Sequence, residues 1–373
     1  MKKTMVILSV SFCLFIAGCG NDGKANPDIR PTSPQSTEAD SVGGLKLSLE
    51  YNPKTDSPRG YDWGYMSESE NGYFFVQDKL NTYWDKKTGM YLPLCSNPDC
   101  NHKNTDCVAS YKENISFINS AYYYDGYVYK LGEESGKHNL YRIKEDGSEF
   151  EKCFSFFRTE DFGSSHFPEI CIHRGYVYYV IPNQTEMKLQ RVKLEGGEPE
   201  VIYEMSGERQ ELYRIKAYGN HIFFQAGNFV DDKMIDINAG IYEYDINAKE
   251  VRLVLDGAVS EYGVYGNSLY YYNYKDSGIY ELNFSDMSSR LIIENVSTDF
   301  RTKFCEDKIV WGDKNSIYIY GYDGKKAADI DNKDIIWING FNNNILFGET
   351  EENIVYYDIS SADKEWKVLK YGN

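Results

Sequence analysis

Positive charge is the first scarcity: 40 Lys and Arg stand against 57 Asp and Glu, a formal net charge of −17. Nucleic acid and anionic lipid headgroups would be repelled, so neither is expected as a direct partner. Histidine is scarce too, and the five copies (His102, His138, His166, His173, His221) do not cluster in sequence. No His-Glu-x-x-His, Gly-x-Ser-x-Gly or Walker-type loop occurs, so the common metalloprotease, serine-hydrolase and nucleotide-binding signatures are missing. Helical periodicity is nearly absent. Beyond the N-terminus there is no apolar run of about 18 residues, the length a spanning helix needs. Asp329-Ile-Asp-Asn-Lys-Asp334 hints at calcium, but Lys333 stands where an oxygen ligand is required, and the stretch reads as a turn.

Tyrosine is abundant instead, at 34 copies. Four of them, Tyr242, Tyr280, Tyr318 and Tyr356, follow one another at intervals of 38 residues, each inside a short alternating run such as Gly240-Ile-Tyr-Glu-Tyr-Asp-Ile246 or Gly278-Ile-Tyr-Glu-Leu-Asn-Phe284. A fixed period of this length marks one supersecondary unit copied along the chain. Turn-plus-aromatic-strand copies recur at Asn71-Gly-Tyr-Phe-Phe-Val76, Asp125-Gly-Tyr-Val-Tyr129, Arg174-Gly-Tyr-Val-Tyr-Tyr179 and Gly219-Asn-His-Ile-Phe-Phe224. They continue at Gly266-Asn-Ser-Leu-Tyr-Tyr-Tyr272, Glu306-Asp-Lys-Ile-Val-Trp311 and Asn342-Asn-Asn-Ile-Leu-Phe347. Asn-Gly, Asp-Gly and Gly-Asn pairs between alternating strands are hairpin signals, because tight turns need positive φ.

Seven copies of a unit with about four strands predict an all-β chain folded as a single β-propeller of seven four-stranded blades, with six or eight as alternatives. The ladder tyrosines read as strand packing. Some aromatics at loop edges, with Trp63, Trp84 and Phe167, are candidates to stack on sugar rings or peptide side chains at one mouth. Longer insertions fall at 93–116, 154–168 and 226–239. The last repeat reads as owning all its strands, while the alternating stretch Leu45-Lys-Leu-Ser-Leu-Glu-Tyr51 is a candidate to clasp the final blade or to form part of an incomplete extra one.

Residues 1–19 read as an export signal: Lys2 and Lys3, an apolar core from Met5 to Ile16, then Ile16-Ala17-Gly18-Cys19. That ending resembles the lipobox of bacterial lipoproteins, and the resemblance implies that Cys19 becomes the lipidated N-terminus, held to the membrane by palmitate-type acyl chains. Residues 20–45, rich in Pro, Ser, Thr and Asp, read as a flexible tether, and 46–373 as the propeller. The expected location is the extracytoplasmic side of the cell membrane.

One local cluster has ligand-like spacing. Cys95, Cys100, His102 and Cys107 form Cys-x₄-Cys-x-His-x₄-Cys within the 93–116 insertion. Three sulfurs and an imidazole suit a closed, non-catalytic tetrahedral zinc site. An exported chain also oxidises its thiols, so a disulfide among these cysteines, with a third thiol paired to Cys153, Cys171 or Cys305 or left free, is the competing reading. Cys153, Cys171 and Cys305 otherwise read as buried, inert thiols.

The consensus of Leu-Tyr-Arg-Ile, Asp-Gly and a short following strand resembles the propellers of TolB-like and low-density-lipoprotein-receptor-like type. With the lipobox and cysteine cluster, the chain resembles uncharacterised propeller lipoproteins of Gram-positive anaerobes, and it lacks the Tyr-Trp-Thr-Asp tetrapeptide of receptor-type blades. The resemblance implies an envelope location and no particular activity. The expectation is a non-enzymatic binding module for a protein or glycan. A polysaccharide hydrolase or lyase, or a scaffold subunit of an envelope or transport complex, are the alternatives. No catalytic residue stands out.

Overall fold

The computed structural model describes residues 44–371, apart from 58–65, 78, 118–119, 159, 161–168, 182–185, 207–209, 229–239, 258 and 297–301. The expected export signal, most of the tether, Trp63, His166 and Phe167 lie outside the described residues. The described chain folds into seven antiparallel sheets of sequential strands, spanning 66–93, 116–158, 170–206, 210–256, 259–293, 303–331 and 337–368. No helix occurs among the described residues. Blade 2 is the irregular one, its first strand split into Ser116–Phe117 and Tyr122–Tyr124, both paired to Tyr127–Glu134.

The turns explain the meander. Asp125 and Gly126, Arg174 and Gly175, and Asn343 and Asn344 each hold two consecutive positive φ angles between first and second strands. That geometry matches the right-handed twist of the strands it joins. First strands of blades 1 through 6 touch in succession, which places them around the axis with the fourth strands outermost.

Each seam between adjacent blades has its own apolar cluster. The seven clusters join blades 1–2, 2–3, 3–4, 4–5, 5–6, 6–7 and 7–1. A four-stranded sheet cannot bury both faces alone, and a closed ring buries all fourteen. Every rung of the ladder sits half-buried in a third strand and packs on its neighbours. Tyr242 stacks on Phe224 at 5.6 Å, Tyr280 on Tyr271 at 5.5 Å, and Tyr318 lies 4.3 Å from Trp311. Tyr356 reaches across the closing seam to Trp84 of blade 1, at 4.9 Å. Trp84 is thus a core residue packed on Tyr73 and Phe347, not a ring presented at a mouth.

The last repeat owns all its strands, as expected, but the candidate clasp is not there. All four strands of blade 7 come from the C-terminal repeat, and Leu45–Tyr51 clasps nothing there. The seam is instead sealed by the aromatic cluster and by a lone parallel bridge from Tyr91 to Tyr371, whose rings stack at 5.2 Å. Leu45, Leu47 and Leu49 pack on the cluster between blades 4 and 5. The alternation came from half-burial against turn ends, which mimics that of a strand. The acidic stretch is strand through Asp331 and turns only from Asn332, because Asp329 to Asp331 complete the outer edge of blade 6.

Candidate functional site

Successive connections of a meander leave from alternate rims. The expected insertions at 93–116, 154–168 and 226–239 all belong to fourth-to-first or second-to-third connections, hence to one rim, although 154–158 and 226–228 prove to be strand. Much of the last two lies outside the described residues, so the cysteine insertion is the one with visible side chains.

Asparagines shape that loop. Asn97, Asn101 and Asn104 accept backbone N–H bonds from Asp99, Lys103 and Cys107, folding three successive tight turns without a strand or helix. His102 adopts φ +56°. Lys112 Nζ donates to the carbonyls of Thr105 and Cys107, and Ser110 Oγ to that of His102. The result brings one donor atom each from Cys95, Cys100, His102 and Cys107 within 4.8 Å of one another. His102 Nδ1 is 3.4 Å from Cys107 Sγ. A tetrahedral ion with metal–sulfur bonds of about 2.3 Å needs ligand separations of roughly 3.8 Å, so a small contraction completes the site. All six described cysteines are free thiols. Burial raises the Cys107 thiol, but hydrogen bonds from His102, Ser110 and Cys100 outweigh it and bring its pKa to about 6. Burial and the neighbouring thiols hold Cys95 above its ordinary value. One sulfur is thus already anionic near neutrality, as a cation ligand must be.

The loop is seated at both ends. Ser96 N donates to Gly147 O in blade 2, and Gly147, at φ +71°, has no room for a side chain: a Cβ would lie 2.6 Å from Cys95 N. At the other end Asn81 N donates to Ala109 O and Tyr111 N to Lys79 O in blade 1. Beneath it, the fully buried Lys130 donates to Ser120 O and lies over the rings of Tyr111 and Phe117. Burial pushes the Lys130 pKa down to about 7.

A second group meets the same proximity criterion: His221, Glu243 and Asp245. Its chemistry is different. His221 Nδ1 faces Glu243 Oε1, Nε2 accepts Ser48 N at 2.9 Å, and the other Glu243 oxygen takes Arg252 Nε at 2.6 Å. Residues 44–57 form a strap here along the first-to-second and third-to-fourth turns of blades 5, 4 and 3. Gly44 abuts Ser285, and a Cβ on Gly219 (φ +60°) would fall 2.1 Å from Ser48 O. Farther along, Ser57 N donates to His173 Nδ1, whose Nε2 donates to Gly219 O. Asp56, with a side chain 1% exposed, pairs with Arg174 at 2.7 Å. Burial raises the Asp56 pKa, yet the Arg174 hydrogen bond and charge carry it below the usual value.

A third polar group joins the inner strands of blades 3, 4 and 5. Glu169 accepts the backbone N–H groups of Arg214 and Ile215 at 2.6 and 2.7 Å, where a bulge sets Arg214 at φ +54°. The Arg214 guanidinium donates to Gln225 and Glu261. Three blades far apart in sequence supply these groups, so no local motif announces them. Of the remaining expected residues, Cys171 and Cys305 are buried, and Cys153 packs at the seam of blades 2 and 3, burial pushing its thiol to about 11. His138 is buried against Phe157. Among the described residues, neither group of clustered ligand types contains more than one histidine.

No protein-family model and no curated relative matches this chain. Its fold is similar to an oligogalacturonate lyase solved with manganese, at 12% identity and a TM-score of 0.52, covering 81% of this chain and 86% of that one. It is also similar to the GH74 enzyme of Niastella koreensis, at 12% identity and a TM-score of 0.51, covering 88% and 56%. TolB from Acinetobacter baumannii aligns at 10% identity and a TM-score of 0.43, covering 75% and 63%. Identities this low carry the propeller fold alone.

Proposed function

We propose that this chain is a lipid-anchored, extracytoplasmic propeller whose insertion-bearing rim binds a protein or glycan at the cell envelope, and that Cys95, Cys100, His102 and Cys107 hold a structural zinc. The observation that carries the reading is the asymmetry of the ring. The longest connections, 94–115 among them, share one rim, whereas those of the other rim run from the two residues of 174–175 to the eight of 359–366 and carry the strap. Binding functions concentrate on loops held by a rigid scaffold. The exposed Asn97, Asp99, Asn101, Lys103 and Asp106 stand around the cysteine cluster, where zinc would hold a loop that has no core of its own. The lipobox-like Ile16 to Cys19 supports the anchor.

Photo-crosslinking on intact cells tests the binding role. A crosslinker at Asn101 should capture one partner in stoichiometric yield, and one at Lys325, on the other rim, should not. Equal capture from both positions, or none from either, contradicts the rim assignment. Release of unsaturated or reducing ends from envelope or plant polysaccharide by the purified chain would favour the hydrolase or lyase instead. The anchor is tested by acyl labelling, which Cys19→Ala should abolish.

A further inference from the structure

Two histidines, in different blades, hold the strap in the same way. Each accepts a strap backbone N–H through one ring nitrogen (Ser48 N on His221 Nε2 at 2.9 Å, Ser57 N on His173 Nδ1 at 3.0 Å). Each has its other nitrogen committed as a donor, His221 Nδ1 to Glu243 and His173 Nε2 to Gly219 O at 2.8 Å. The partners fix both rings as neutral tautomers. Both side chains are almost completely buried, so neither ring can turn out to water. From this geometry we infer that the strap is an acid-sensitive latch: protonation of His221 and His173 turns both acceptors into donors aimed at backbone N–H groups, and the strap lets go.

The surroundings set how each latch responds. His221 faces Glu243 and Asp245 in the third strand of blade 4, with Arg252 of the fourth strand on the far oxygen of Glu243. His173 faces Asp56 of the strap itself at 3.9 Å, with Arg174 on Asp56; Cys171 bonds the Ser57 side chain, and Tyr124 Oη accepts Gly175 N. Asp56 stays ionised in mild acid, because Arg174 lowers its pKa. It therefore favours the charged ring at the second latch. Leu45, Leu47 and Leu49 oppose release, so the strap loosens by degrees rather than leaving at once. Freed, 14 residues would add up to about 46 Å of extended chain. Taken with the proposed lipid anchor, on which only this last consequence rests, acid would lengthen the tether and uncover the apolar turn ends of blades 4 and 5.

Amide hydrogen exchange of the full chain, corrected for intrinsic rates, tests the latch. Between pH 7.5 and pH 5.5 the Ser48 and Ser57 amides should lose about tenfold in protection, as expected when a buried hydrogen bond is lost. The ladder strand Gly278–Asn283 should lose none. With His221→Gln and His173→Gln combined, whose side-chain oxygens accept at any pH, strap protection should become independent of pH. Constant strap protection in the wild-type chain overturns the inference, as does equal loss across strap and ladder. Acyl labelling at Cys19 decides the anchor separately, so the two can fail independently.

Discussion

The cysteine loop and the strap both lie outside the blades, and both bind blades together. Each also has metal-ligand types within 4.8 Å of one another, in the loop itself and, for the strap, in His221, Glu243 and Asp245 of blade 4 beside it. They differ in what those donors otherwise do. In the loop the sulfurs and the His102 ring face one another, and the remaining bonds are made by backbone and by Lys112 and Ser110. Beside the strap both nitrogens of His221 and both oxygens of Glu243 are already engaged. Proximity therefore marks a metal centre only where the donor atoms have lone pairs to spare. The same difference separates the two regions' expected responses: the loop should answer to chelators, the strap to acid.

The largest effect expected from a single side chain is at Glu243, which is fully buried between His221 and Arg252. Glu243→Ala strands a buried imidazole and a guanidinium and should cost about 3–5 kcal/mol in urea unfolding, with no change in bound metal. Retained stability with lost metal would invert the comparison. Gly219→Ala should cost about 2–3 kcal/mol, combining left-handed backbone strain with displacement of the strap at Ser48. Gly266→Ala, at φ +58° with open space around it, is the control and should cost only the strain, about 1 kcal/mol.

Lys130 tests the floor beneath the loop. Its folded pKa of about 7 lies below that of an unfolded lysine, near 10.4. The unfolded chain thus binds more protons between those values, and stability should rise with pH across that window. The destabilisation is full below about pH 7, where both states are charged, and fades towards pH 10. Lys130→Met should stabilise by about 1–2 kcal/mol near neutrality and flatten the pH profile. An unchanged profile would mean that Lys130 does not titrate there. The smallest effect is Tyr280→Phe: its ring packs, and its hydroxyl reaches only the exposed Asp276, so a loss under about 0.5 kcal/mol is expected.

The tyrosine ladder made the blades legible because every rung has the same job, stacking on a second-strand or cross-seam neighbour. The turns were legible because positive φ restricts residue choice. Local spacing also marked the four candidate ligands of the loop, since they lie within 13 consecutive residues. The strap was misread: Leu45, Leu47 and Leu49 alternate like a strand while packing on turn ends. Its latches, and the Glu169–Arg214–Glu261 group, join residues tens of positions apart or more. Only the closed ring brings them together, and no periodicity encodes that.

Metal analysis of the purified full chain reaches the comparison most directly, with wild type, Cys107→Ser and His221→Gln side by side. The account predicts one equivalent of zinc in wild type and in His221→Gln, and none in Cys107→Ser. No metal in wild type, with the mass reduced by the hydrogens that a disulfide removes, would contradict it.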